Sequence, residues 1–109
     1  MAILRTQADG GGAINFTRTA ESFEEVVSVE LHLSAAPTTS ENLTITRDNS
    51  QGPEYDTRLY TLDMSSASTT DLLWTPDQPM YLWPGDAVDV AYANTDGRTY
   101  GLTVTVKGA

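Results

Sequence analysis

A chain of 109 residues has room for one hydrophobic core, and Leu, Ile, Val and Phe supply only about a fifth of it, so that core is modest. The net charge of −9, from 15 acidic and 6 basic residues, repels phosphate, and the basic residues are scattered; nucleic acid and anionic membranes are disfavoured as partners. With no cysteine there is no disulfide, zinc-thiolate site or thiol nucleophile, and no run approaches the roughly 20 apolar residues of a membrane-spanning helix.

The chain opens with a short segment containing Ile3-Leu4, followed by Ala8-Asp9-Gly10-Gly11-Gly12-Ala13. Three consecutive glycines are hard to hold in regular structure, so residues 1–12 are set apart as an N-terminal arm and glycine hinge, and 13–109 as the folded domain. The arm reads either as a simple first strand or frayed end, or as an element that docks on a neighbouring subunit. It has too little apolar length for a secretion signal, and the expectation is a soluble protein made in the cytoplasm.

From Ala13 onward the chain reads as strands. Ile14, Phe16 and Arg18 alternate with Asn15, Thr17 and Thr19. In the clearest period-2 stretch, Val27, Val29, Leu31 and Leu33 point one way and Glu24, Ser28, Glu30 and His32 the other, with Val26 the lone apolar residue on the polar side. Pro37 ends that ladder. Leu43 and Ile45 mark the next strand, Asp48–Pro53 a turn, and Tyr55–Asp63 another strand. Ser65–Thr70 is a polar connection. Two short apolar runs follow, Asp71–Trp74 and Met80–Trp83, separated by Pro76 and Pro79 and closed by Pro84-Gly85-Asp86. Val88, Val90 and Tyr92, then Leu102, Val104 and Val106, define the last two strands, with Asn94-Thr95-Asp96-Gly97 read as a hairpin turn between them. About eight strands at this spacing, with no 3.6-residue periodicity, predict an all-β fold: an antiparallel β-sandwich of the jelly-roll kind.

The inventory argues against catalysis. His32, the only histidine, lies on a polar strand face, and no Gly-x-Ser-x-Gly elbow is present. Glu24 and Glu25 are strand neighbours on opposite faces, while Asp86 with Asp89 and Glu54 with Asp56 sit at strand ends, where solvated acids are common. Asp48–Gly52 and Asp96 offer oxygen ligands, but they lack the spacing and closing glutamate of a calcium loop, and turn formation accounts for them. No cofactor or metal is expected. Trp74, Tyr81, Trp83, Tyr92 and Tyr100 cluster in the C-terminal half, as core, protein-interface or sugar-stacking rings.

Leu31–Thr44, Tyr55–Tyr60, Leu62–Ser65, Pro84-Gly85-Asp86, Ala91–Thr95 and Arg98–Leu102 together resemble a group of small structural proteins of tailed bacteriophages. The resemblance covers about two thirds of the chain and rests on turns and strand faces. It implies a virion structural role: a head decoration (cement) protein on the capsid surface, clamping major capsid protein subunits as a homo-oligomer, commonly a trimer. The alternative it implies is a tail-fibre or tail-tip module that binds a host glycan or receptor. Hot spots of such interfaces are aromatic or arginine, with apolar anchors. On that basis Ile3, Leu4, Trp83 and Arg98 are the expected partner contacts.

Overall fold

The computed structural model describes residues 2–108. Nine strands carry the fold: β1 Ile3–Gly10, β2 Ile14–Thr19, β3 Glu24–Leu33, β4 Asn42–Asp48, β5 Thr57–Asp63, β6 Asp71–Trp74, β7 Met80–Leu82, β8 Ala87–Tyr92 and β9 Tyr100–Gly108. A 3-10 turn, Pro53–Tyr55, and a one-turn helix, α1 Met64–Ala67, interrupt them. One sheet runs β1-β9-β3-β6, with β7 also on β3, and the other runs β2-β8-β4-β5. Every pairing is antiparallel. The all-β sandwich expected from strand spacing is therefore the fold. The pairing is nested: β1 with β9, β2 with β8, β3 with β6 and β7, and β4 with β5, as if one long hairpin had been rolled up.

The inward rows of both sheets build the core. Val29, Leu31, Leu33, Leu102, Val104 and Val106 come from the first sheet, and Ile14, Leu43, Ile45, Val88 and Val90 from the second. Leu82 and Met64 close the two ends of this layer, Met64 from the start of α1, which runs on into the Ser65–Thr70 stretch read as a polar connection. Asp63 caps that helix by accepting from the Ser65 and Ser66 backbone N–H groups at 3.0 and 3.3 Å.

Three details depart from the period-2 reading. A bulge between Val26 and Ser28 gives β3 one residue more than β9, so the side-chain alternation changes phase. Val26 and Glu24 thus point inward and are buried, with Glu24 only 3% exposed, while Val27 is half-buried. The Asn94–Gly97 turn forms, closed by Gly97 N–H to the Asn94 carbonyl at 2.9 Å. It is not a hairpin, because β8 and β9 belong to different sheets and the turn carries the chain across the sandwich. The ninth strand is the segment before the glycines: Ile3–Gly10 pairs with β9 at eight consecutive positions. Its half-buried Thr6 and Ala8 lie opposite the buried Val104 and Leu102.

β6 and β7 both pair with β3, β6 beside Val29–His32 and β7 beside Glu24–Val26. Thr75–Pro79 separates them, because two prolines without N–H groups cannot continue a ladder.

Candidate functional site

Four of the exposed large apolar side chains, Ile3, Leu4, Tyr81 and Trp83, lie at one end of the first sheet, whereas Leu73 stands on β6 opposite Glu30 and Tyr55 in the Pro53–Tyr55 turn. The register lines up Ile3, Lys107, Glu25 and Tyr81 as a row across β1, β9, β3 and β7. Directly opposed residues share a face, and this row is the outward one. Ile3 is 70% exposed at one end of the row, and Tyr81 is at the other, about 14 Å away at three strand spacings. Between them Lys107 Nζ meets Glu25 Oε1 at 3.7 Å. Tyr81 stacks on Phe23 with ring centroids 5.3 Å apart, and Phe23 in turn packs against Trp83 at 4.7 Å. Trp83 leaves 65% of its surface in solvent. The arrangement is two exposed apolar ends bridged by an ion pair.

The turn after β7 fixes Trp83. The Asp86 carboxylate, itself buried, accepts from the Trp83 N–H at 3.1 Å and the Ser50 N–H at 3.0 Å. Burial pushes Asp86 upward, but these two N–H bonds and the Arg47 charge outweigh it, and its pKa lies below the ordinary carboxylate value. Gly85 sits at φ 93°, where a Cβ would come within 3.2 Å of the Ser50 Cβ. Pro84-Gly85-Asp86 is thus a small clamp that tethers the exposed indole to the β4–β5 turn.

Of the expected contacts, Ile3, Leu4 and Trp83 lie at this end of the sheet, with Leu4 46% exposed on the inward side of the β1 edge. Arg98 does not join them. It sits at the opposite end, where Leu33 pairs with Tyr100, and its Nη2 donates to the Ala36 carbonyl at 3.0 Å. There it belongs to an internal brace. Buried Asn94 donates to the Gly12 and Arg98 carbonyls, both at 2.9 Å, and accepts from the Arg98 N–H at 3.1 Å. The brace ties the triglycine segment to the β8–β9 crossing. Phe23, Glu25 and Lys107 had no sequence signal as contacts, because only the strand register sets them beside Tyr81 and Ile3.

Several other acids and amides are held by hydrogen bonds within the chain. Asp96 accepts from the Thr39 hydroxyl at 2.7 Å and from the Thr38 and Thr39 N–H groups at 2.7 and 3.0 Å. The Thr39 hydroxyl, then these N–H groups, lower its pKa to about 2. Asn49 closes its own turn by accepting from the Gln51 N–H at 2.8 Å. Asp48 is raised by partial burial and by the neighbouring Asp89 and Asp56 carboxyls. Among the described residues no group of three or more His, Cys, Asp or Glu side chains has an arrangement that would hold a metal ion. His32 Nδ1 lies 2.6 Å from Asp71 Oδ1 on the solvent face, and that contact, with the Thr70 hydroxyl, lowers the Asp71 pKa.

The fold and this surface define a small two-sheet sandwich with an exposed aromatic patch at one end of one sheet. No protein-family model matches the chain, and no curated protein matches it. Among solved structures, a chain in the acidic stable capsid structure of Helicobacter pylori bacteriophage KHP30 shares its fold with a TM-score of 0.60. The two are 17% identical, over 98% of this chain and 88% of that one.

Proposed function

We propose that this chain is a structural protein of a tailed-phage virion, and that it decorates the capsid as a cement protein bound across major capsid protein subunits. The observation that carries the reading is the fold shared with a chain of a phage capsid over nearly the whole length of both. The nested strand pairing adds to it, since this order is that of a jelly roll, an architecture used in viral capsids. The role proposed is structural, not enzymatic: Asp86, Asp96 and Asn49 hold turns and loops in place.

In this reading the patch of Ile3, Tyr81, Phe23 and Trp83 is the capsid contact. A protein that binds the assembled shell and not the free subunits stabilises the shell by mass action. The acidic surface keeps the free protein soluble and favours a basic patch on the partner. Quantitative mass spectrometry of purified virions tests the proposal. Hundreds of copies in simple ratio to the major capsid protein are expected; absence from the particle would overturn it.

A second reading, a tail module that binds host glycan, is favoured by one observation, the Phe23–Tyr81–Trp83 ridge with its exposed indole. It predicts a handful of copies per virion and tryptophan fluorescence that responds to host polysaccharide. Silence across a broad glycan panel would remove it.

A further inference from the structure

The sandwich has four open edges, and three are protected against pairing with another chain. The β6–β7 edge is broken by Pro76 and Pro79. The β5 edge carries a bulge of its own, Leu59 being the extra residue between Tyr60 and Arg58, which face the consecutive Ile45 and Thr46. β2 is short and points the charged Arg18 inward to Glu24. These are the devices by which sheet proteins avoid edge-to-edge association. β1 has none of them. It runs eight residues beside β9 without a register shift, holds neither proline nor lysine, and begins with the exposed Ile3.

Its backbone is oriented for a further strand. Gly108 N–H donates to the Ala2 carbonyl at 2.9 Å, which makes Ala2 and Gly108 a hydrogen-bonded pair. Alternation then commits Leu4, Thr6, Ala8 and Gly10 to β9. Ile3, Arg5, Gln7 and Asp9 present their N–H and C=O groups to the open side. We propose that this edge pairs antiparallel with the same edge of a second copy of this chain, about a two-fold axis at Gln7.

The sequence of β1 selects that register. Continuing both sheet faces requires odd-numbered residues to oppose odd-numbered ones. Centring on Arg5 or on Asp9 sets like charges against each other, and centring on Thr6 sets Ile3 against the partner's Asp9. Centring on Gln7 sets Arg5 against the partner's Asp9, twice by symmetry, and these pairs coincide with the backbone groups left free. On the inward face the same register brings Leu4 opposite the partner's Gly10. Where Gly10 lacks a Cβ, the Tyr100 ring lies 3.4 Å from the position it would occupy, an apolar surface for the half-exposed leucine. One strand edge is a small contact, so the dimer is weak and is reached at high local concentration. The inference concerns the free chain and stands apart from any place in a virion.

Sedimentation of the full-length protein from micromolar to near-millimolar concentration, at low salt, tests it. A reversible monomer–dimer equilibrium is expected. Gln7→Pro removes an open-side N–H, which an edge strand tolerates, together with the exposed Gln7 Nε2 bond to the Thr103 hydroxyl, and should weaken the dimer about thirtyfold while costing the fold no more than about 1 kcal/mol. Arg5→Asp should weaken it at least about tenfold, and Arg5→Asp with Asp9→Arg should restore it, a readout that survives if the proline variant misfolds. A monomer at every concentration, a trimer, or a dimer indifferent to both the proline and the charge exchange would overturn the proposal.

Discussion

The Arg18–Glu24 pair joins the two sheets, since Arg18 comes from the inward face of β2 and Glu24 from the inward face of β3. Arg18 Nη2 meets Glu24 Oε2 at 2.7 Å with side-chain exposures of 14% and 3%, and the other carboxylate oxygen, Oε1, has no hydrogen-bond partner among the described residues. Arg18 also donates through Nη1 to the Thr19 carbonyl. Arg18→Met keeps most of the aliphatic volume and leaves the carboxylate without its counter-charge. Breaking a buried pair in this way costs about 3–5 kcal/mol, against a total stability of about 5–15 kcal/mol for a domain. With an unfolding entropy of roughly 2.1 cal/mol/K per residue over 109 residues, or about 0.23 kcal/mol/K, the melting temperature should fall by about 13–22 °C. Replacing both partners, Arg18→Met with Glu24→Leu, removes the stranded charge and should recover most of the loss. Urea unfolding of the four proteins in a double-mutant cycle measures the coupling directly. A loss below about 1 kcal/mol in Arg18→Met would show that the pair behaves as a solvent-exposed one. A double variant no better than the sum of the singles would refute the argument equally.

Acid should act through Asp96. Its folded pKa of about 2 lies below the ordinary 3.8, so its contribution to stability is present above about pH 4 and is lost as pH falls through 2. Asp63, lowered chiefly by the Ser40 hydroxyl, and Asp71 act with the same sign. Thermal melts from pH 5 to 1.5 should therefore show a steep acid limb, shallower in Asp96→Asn. Trp83→Ala should leave the fold's circular dichroism unchanged and cost about 2–4 kcal/mol of shell binding, roughly 30- to 1,000-fold in a capsid-attachment assay. Unaltered attachment would exclude the indole from the contact. Gly85→Ala meets both a positive φ and the Ser50 side chain, and should destabilise by about 1–2 kcal/mol in denaturant titration.

The strands were legible because their inward rows repeat every second residue, and the Pro and Gly clusters fall where the ladders end. Legibility failed where one residue changes the phase. Nothing in Val26-Val27-Ser28 announces a bulge, yet it turns Glu24 from a surface acid into the buried partner of Arg18. Arg18 itself did carry a signal, a charge on the same face as Ile14 and Phe16, which calls for an opposite charge inside. At the candidate contact, Ile3, Leu4 and Trp83 were readable as exposed apolar anchors. Phe23, Glu25 and Lys107 were not, because their proximity depends on pairing between strands far apart in the chain. The Asp96-Gly97 turn misled for a local reason: positive φ at Gly97 suits a tight turn whether or not the flanking strands pair.

The nested pairing also sets an order in time. The innermost hairpin, β4 with β5, closes a loop of nine residues between Arg47 and Thr57, whereas the outermost rung joins Ile3 to Lys107. Closing the widest loops last follows from chain entropy, and topologies dominated by such distant pairings fold slowly. On the ribosome β1 emerges well before β9, its partner strand among the described residues, and must wait until β9 has been made. During that interval both edges of β1 are unpaired. The surplus of negative charge then keeps neighbouring incomplete chains apart by mutual repulsion.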